Sequence, residues 1–412
     1  MAITDKEEGV WILDQVYNKQ NEGDIWAYTG AQQLMMVGDD QYGKLGLNGM
    51  GSVTHPATKY SSPTQVGGDD WYEGAFARGG QTAAMGQKTD GSVYSWGSMS
   101  PWGCGGRNVP NADSYSRSSP VQIISGPGTV GTLASNGYHN AFYRKSNGEL
   151  WVWGANSPHG QLGLNSKTNY SSPVQLGTDT TWGNNLHSGG YNGMAVKTDG
   201  TLWTWGANSS PDFTGVLGHN NKTSYSSPKQ VGTDTTWATS SGQGCSGTAT
   251  MACVKTDGTL WTWGTNPNGV LGHNNQTGYS SPRQVPGTTW NKVRISTYGQ
   301  CEAIKTDGTL WSWGSNSYGE LGHNNRTNYS SPKQVGTATD WDKVSIMGPY
   351  SSKYTAAIKT DKTLWVWGWQ GQGDAGTLGQ NDTVKYSSPT QIPGTWLNAS
   401  IGDYFAGYIT DK

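Results

Sequence analysis

In Leu310-Trp311-Ser312-Trp313 large apolar and small side chains alternate, which predicts a half-buried strand carrying both indoles on one face. Read between two Ser-Ser-Pro triplets, the pattern predicts four short strands, over residues 281–285, 290–296, 301–305 and 309–313. Asp307-Gly308 joins the last two as a tight hairpin, and the residue pair suits a type I′ turn. The same pair stands at Asp90-Gly91, Asp199-Gly200 and Asp257-Gly258, with Asn147-Gly148 as a variant, and decays to Asp361-Lys362.

This alternation is one line of a longer repeat. Ser-Ser-Pro ends at Pro63, Pro120, Pro173, Pro228, Pro282, Pro332 and Pro389, seven copies spaced 50 to 57 residues apart. An aromatic-Xaa-Trp-Gly phrase precedes six of them, at Trp96, Trp153, Trp205, Trp263, Trp313 and Trp367, with Met35-Met36-Val37-Gly38 as a worn first copy. Gly-Xaa-Leu-Gly lies between the two phrases in every repeat except one, which reads Gly103-Cys104-Gly105-Gly106. Seven units of four strands predict an all-β chain, a seven-bladed β-propeller whose radial repetition leaves only short, protected edges. The last copy stops at Ile409-Thr410-Asp411-Lys412, at the hairpin, and the first begins at Gln33, just beyond it. A C-terminal pair of strands and an N-terminal pair are therefore expected to form one composite blade that closes the ring.

Composition agrees with short strands and turns. There are 61 Gly, 21 Trp and 21 Tyr but four Phe, and a repeat buries such aromatics between neighbouring units without one large core. Charged residues make up only 14% and the net charge is −2, so no basic footprint points to nucleic acid or to an anionic membrane as the principal partner.

The run of Lys-Thr-Asp-Gly, Leu-Trp-Xaa-Trp-Gly-Xaa-Asn, Gly-Xaa-Leu-Gly and Ser-Ser-Pro-Xaa-Gln-Val resembles the regulator of chromosome condensation repeat family over residues 32–412. The resemblance implies a seven-bladed propeller with a shared closing blade. It leaves function open, because members of that family include nucleotide-exchange factors, ultraviolet sensors, β-lactamase inhibitors and virion proteins of tailed phages. The mildly acidic opening Met1 to Glu8, the absence of Gly-Trp-Arg-His-Thr and the lack of a long hairpin insertion speak against exchange and light sensing.

Residues 1–31 stand outside the repeat. Ile12 with Val16 and Leu13 with Tyr17 are spaced i,i+4, which predicts an apolar stripe on a short helix. Together with Trp11 and Trp26 these residues read as an anchoring arm, and this stretch resembles the start of structural proteins of marine tailed phages. By its position the arm leaves from the Asp-Gly face.

No catalytic constellation is apparent. The chain lacks a nucleophile elbow and a phosphate-cradling loop, so no enzyme activity and no cofactor are expected. Cys104, Cys245, Cys253 and Cys301 fall at unrelated repeat positions, with no metal or disulfide spacing. His219, His273 and His323 recur in Leu-Gly-His-Asn-Asn and read as solvent-facing turn residues, with no metal ligand set beside them. Asn221, Asn275, Asn325 and Asn381 each open an Asn-Xaa-Thr and read as turn residues too.

The candidate binding face is the one opposite the Asp-Gly turns, where loop length varies: residues 98–118, 208–216, 240–250, 348–354 and 368–377. Trp102, Arg107, Phe213, Tyr350 and Trp369 are its candidate contacts, since rigid aromatic side chains among Ser, Gly and Asn suit protein or glycan recognition. The resulting expectation is a non-enzymatic virion structural protein, present in multiple copies. Its arm would hold other virion proteins, and its propeller would meet a host glycan or protein. The alternative is a soluble cellular (cytoplasmic) protein-binding module or inhibitor; neither reading involves nucleic acid or membrane insertion.

Overall fold

The computed structural model describes residues 32–48, 59–78, 83–98, 104–108, 116–126, 128–135, 140–209, 215–296, 299–347, 353–369, 376–402 and 405–410. The arm, with Trp11, Ile12, Leu13, Val16, Tyr17 and Trp26, lies outside them. Among the described residues the chain forms seven four-stranded antiparallel sheets. Blade 5 shows the plan: Trp290–Ile295 at the centre, then Gln300–Lys305, Leu310–Gly314 and, outermost, Tyr329–Gln334. Each innermost strand lies against the next, and Asn398–Ile401 meets Trp71–Arg78 to complete the circle.

The expected composite blade is present. Its sheet runs Lys59–Gln65, Gln33–Asp39, Phe405–Thr410, Asn398–Ile401 from outside to inside, and Gln33 pairs with Thr410 across the junction of the two chain ends. One assignment differs from the sequence reading. The Ser-Ser-Pro strand does not open a blade but closes the one before it, because Tyr279 and Gln284 pair with Gly264 and Trp261 of the preceding Trp-Xaa-Trp strand.

The Asp-Gly hairpin also differs in type. Gly308 sits at φ +76, but Asp307 is not among the residues of positive φ, so the turn is not type I′. Gly308 N donates to Lys305 O at 3.0 Å, which makes a type I turn followed by a left-handed glycine. The Asp side chain is the cause: Asp307 Oδ1 accepts from Thr309 N and Oγ1 at 3.0 and 2.7 Å and holds its own backbone right-handed. A Cβ at position 308 would lie 2.1 Å from Thr339 O, so glycine is required there by space as well as by angle.

The core lies between blades. Both indoles of Trp311 and Trp313 reach Trp290 edge-on, at centroid distances of 6.0 and 5.9 Å, as the alternation predicts. Trp313 is fully buried, and the cluster around it joins Val254, Val270, Leu271 and Val285 of blade 4 to Val293 and Ala303 of blade 5. Replacing such a core indole by alanine costs about 3–5 kcal/mol.

Two stitches recur around the ring, the first at six junctions and the second at all seven, and explain phrases that carry no chemistry of their own. The buried indole N–H donates to the second residue of the preceding blade's Gly-Xaa-Leu-Gly, or of its variant at Cys104. The pairs are Trp96 to Lys44 O, Trp153 to Cys104 O, Trp205 to Gln161 O, Trp263 to Val216 O, Trp313 to Val270 O and Trp367 to Glu320 O, all 2.8–3.0 Å. Close approach of the two backbones demands the last glycine of the phrase: at Gly272 a Cβ would stand 2.9 Å from Trp313 Nε1. Two residues on, a left-handed Asn donates its N–H to the middle serine region of the next blade. Asn48, Asn108, Asn165, Asn220, Asn274 and Asn324 reach Ser118, Ser171, Ser226, Ser280, Ser330 and Ser387 in turn, and Asn381 reaches back to Ser61 O at 2.9 Å to lock the ring.

Candidate functional site

The strand order divides the loops between two rims. On one lie the Asp-Gly hairpins and the connections from one blade to the next; on the other lie the loops between first and second strands and between third and fourth. Of the expected variable segment 240–250, only 247–249 emerges on the second rim, because Gly244–Ser246 is the innermost strand of blade 4 and residues 240–243 precede it on the Asp-Gly side.

The Asp-Gly rim is internally satisfied. In blades 3 to 6 a lysine at the end of the second strand lies over two indoles, as Lys197 over Trp182 and Trp203 at 5.0 and 4.0 Å and Lys305 over Trp290 and Trp311 at 4.7 and 4.3 Å. Carboxylates of the blade connections hold three of these lysines: Asp179 with Lys197 at 2.6 Å, Asp234 with Lys255, and Asp340 with Lys359 at 3.1 Å. These cations are spent on packing and pairing.

Of the sequence-predicted contacts, Arg107 and Trp369 stand on the other rim. Trp102, Phe213 and Tyr350 fall outside the described residues. Arg107 occupies the repeat position that holds His219, His273 and His323 in sister blades. Its Nη2 donates to Gly97 O at 2.8 Å, and burial lowers its pKa to about 10, so it is tied into its own blade. The histidines likewise turn inward rather than to solvent. Each half-buried ring packs edge-on to a tyrosine, as His323 on Tyr329 at 5.2 Å, and its Nε2 lies 2.9–3.0 Å from a Thr or Ser hydroxyl; burial brings each pKa down to about 4. The Asn-Xaa-Thr asparagines are turn residues as expected, with Asn325 Oδ1 accepting from Thr327 N at 2.9 Å.

Trp369 makes a surface feature that sequence reasoning missed in part. Its indole stacks on Tyr318 of the neighbouring blade at 4.6 Å and 12°. Lys385 lies 5.6 Å from the Trp369 ring and 5.7 Å from Tyr318, while Lys353 lies 5.1 Å from Tyr318. Both rings are half-buried and Lys385 is exposed. The pair bridges blades 5 and 6, with Tyr318 N anchored to Glu320 Oε2 at 2.6 Å. A tyrosine in a turn whose sister copies read Pro158-His159 and Asn268 was the signal available in the sequence.

The centre of the ring encloses a cavity of about 350 Å³ lined by the innermost strands of six blades. Lys292, Arg294 and Lys343 face it, among hydroxyls that include Ser135, Ser246 and Ser400. Lys292 pairs with Asp342 at 2.6 Å. His187 also lines it, and its Nε2 donates to Asn185 Oδ1, 2.8 Å away; burial and the Arg294 charge push its pKa down to about 3. Among the described residues no group of three or more His, Cys, Asp or Glu is arranged to hold a metal ion, and all four cysteines are buried free thiols. Among the same residues no helix is long and apolar enough to cross a membrane.

Known proteins match this architecture. The model of the regulator of chromosome condensation (RCC1) repeat fits residues 257–300 and 307–346. The chain is 26% identical over 277 residues to the human E3 ubiquitin-protein ligase HERC2, covering 66% of this chain and 5% of the ligase. It is 27% identical over 209 residues to the mitochondrial RCC1 domain-containing protein RUG3 of Arabidopsis thaliana, covering 48% of this chain and 44% of that protein. The chain thus spans less than half the length of these curated relatives. Prp20p of Saccharomyces cerevisiae superposes with a TM-score of 0.75 at 17% identity, covering 93% of this chain and 94% of that one. Human WBSCR16 does so with a TM-score of 0.74 at 16% identity, covering 92% and 100%. These relatives are cellular proteins, and the resemblance of residues 1–31 to phage structural proteins gains nothing from them. The repeat phrase, the composite closing blade and these matches agree: the chain is a seven-bladed propeller, and two of its segments, 257–300 and 307–346, match the RCC1 repeat.

Proposed function

We propose that the chain is a non-enzymatic protein-binding module that meets its partner on the rim opposite the Asp-Gly turns. The observation that carries this reading is the Tyr318–Trp369 stack with Lys353 and Lys385 beside it. Half-buried aromatic pairs flanked by cations are the composition of an interface anchor. The partner it suits offers an apolar side chain next to carboxylates. The lysines of the Asp-Gly rim lie over indoles of their own blades, and Lys197 and Lys359 also pair with aspartates. Solved propellers of this fold support the reading, since Prp20p is described with binding properties to Gsp1p and histones, and yeast RCC1 was crystallised with Kap60 bound.

Cellular relatives favour this reading over a virion role, and the arm on which the virion role rests lies outside the described residues. The test is affinity capture with three folded proteins: the natural chain, the double variant Tyr318→Ala/Trp369→Ala, and the opposite-rim variant Asp199→Lys/Asp257→Lys. A partner retained by the first and third but weakened at least roughly tenfold on the second supports the proposal. Retention lost only in the opposite-rim variant overturns it.

A further inference from the structure

We propose that the central channel is a binding site for a compact oxyanion, a small molecule bearing phosphate or carboxylate groups, held by Arg294 and Lys343. This inference is independent of the rim. The channel lining carries three cations, and among the described residues the one carboxylate paired to any of them is Asp342, on Lys292. The lining is therefore cationic in a chain whose net charge is −2.

Arg294 is built as a receptor. Its Nη1 is fixed by three carbonyls of the channel wall, Val293 at 3.0 Å, Gly242 at 3.2 Å and Gly244 at 3.4 Å. Its Nη2 and Nε have no protein partner among the described residues, which leaves three N–H donors of a planar fork. The guanidinium lies deep in the protein while still reaching the channel, and burial lowers its pKa. Lys343, from the adjacent innermost strand, spends one donor on Leu397 O at 2.5 Å and keeps two. A charge held this deep without a counter-ion costs several kcal/mol, and a bound anion removes that cost. Hydroxyls of Ser345 and Ser400 offer further donors, and among the described residues no carboxylate lines the cavity to repel an anion. The volume of about 350 Å³ accepts a small ligand but no peptide chain.

Isothermal titration calorimetry on the full chain, at constant ionic strength, tests the site with inorganic pyrophosphate and with citrate as probes. Saturable binding near one per chain, with Kd of about 1 mM or tighter, is expected for at least one probe. The probe preferred identifies the anionic group as phosphate or carboxylate. Arg294→Gln and Lys343→Gln should each weaken binding by roughly tenfold or more, whereas Lys222→Gln on the outer surface should leave it unchanged. If Arg294→Gln does not melt cooperatively, Lys343→Gln alone decides. Absence of saturable binding by either probe up to about 10 mM overturns the proposal, as does binding that survives the channel substitutions.

Discussion

Glu302 makes the stability of this propeller fall with rising pH in a window that extends above those of Asp40 and of the buried histidines. It stands in the second strand of blade 5, at the register position that holds Met194, Ala252 and Ala356 in blades 3, 4 and 6. The side chain is fully buried. Oε1 accepts from Gln300 Nε2 at 2.9 Å and from Thr355 Oγ1 at 2.6 Å, while Oε2 has no partner among the described residues. Cys301 beside it is a buried thiol, and the neighbouring Glu320 offers its backbone oxygen to Gln300. Burial therefore raises the Glu302 carboxyl from 4.5 to about 8. The folded state keeps the proton between these values while the unfolded chain has lost it, so stability falls as pH rises through the window and levels off above about 8. At about 1.4 kcal/mol per unit the whole window is worth about 5 kcal/mol. Asp40, raised to about 6, acts in the same sense at lower pH, while His187, lowered to about 3, and His219, His273 and His323, each lowered to about 4, act in the opposite sense up to and somewhat beyond their ordinary 6.5. Between pH 6.5 and 8 Glu302 contributes a loss of about 2 kcal/mol, against which the histidines return a gain of similar order, so its effect is read as the difference between two proteins that share those histidines. Urea unfolding of the natural chain and of Glu302→Gln, which copies the neutral acid, measures it. Across that interval the natural chain should lose about 2 kcal/mol relative to the variant. An equal slope in both proteins would refute the assignment.

Two further substitutions restore the repeat where one copy departs from it. Asp40 takes the place of Asn156, Asn208, Asn266 and Asn316, and although its Oδ1 accepts from Leu45 N at 2.8 Å as theirs do, its Oδ2 has no partner among the described residues; Asp40→Asn should raise the melting temperature by the equivalent of about 1 kcal/mol, more above pH 6 than below it. Lys362 sits at φ +67 where five sister hairpins have glycine, so Lys362→Gly should stabilise by about 1 kcal/mol in thermal melts, and a loss would show that the lysine side chain outweighs its backbone strain.

The fold was legible because its signals are local and repeated. Strand alternation, the Asp-Gly pair and the broken phrase at the two ends each sit within a few residues, and each appears in the structure. What escaped depends on atoms in another blade. Nothing near Gly272 explains why it must be glycine; the reason is the Trp313 indole of the next repeat. Assigning Ser-Ser-Pro to the wrong blade has the same origin, since its pairing partner precedes it while its stitch comes from the blade before that. His323 looked exposed because its phrase is polar, yet Tyr329 and Ser312 enclose its ring. Trp369 was visible as an irregular aromatic, but its pairing with Tyr318, and the lysines at 353 and 385, arise only when two blades are laid side by side.

The channel was the least legible part, and for a reason that bears on where this molecule keeps its individuality. Every other layer of a blade is constrained by its neighbours: the third strand by the buried indole, the fourth by the Asn stitch, the hairpin by its glycine. The innermost strand is constrained on one side only, by Trp290 and Val293 or their equivalents, while its other side faces the central space. There the repeats disagree. Blade 5 presents Lys292 and Arg294, blade 6 Lys343 and Ser345, the composite blade Asn398 and Ser400, and blade 2 Thr132 and Ala134. An unconstrained surface facing bulk water varies at little cost, but a guanidinium enclosed by a ring of strands does not come free. That Arg294 stands in such a place, braced by three carbonyls and left with open donors among the described residues, is better accounted for by a ligand than by the packing of the propeller itself.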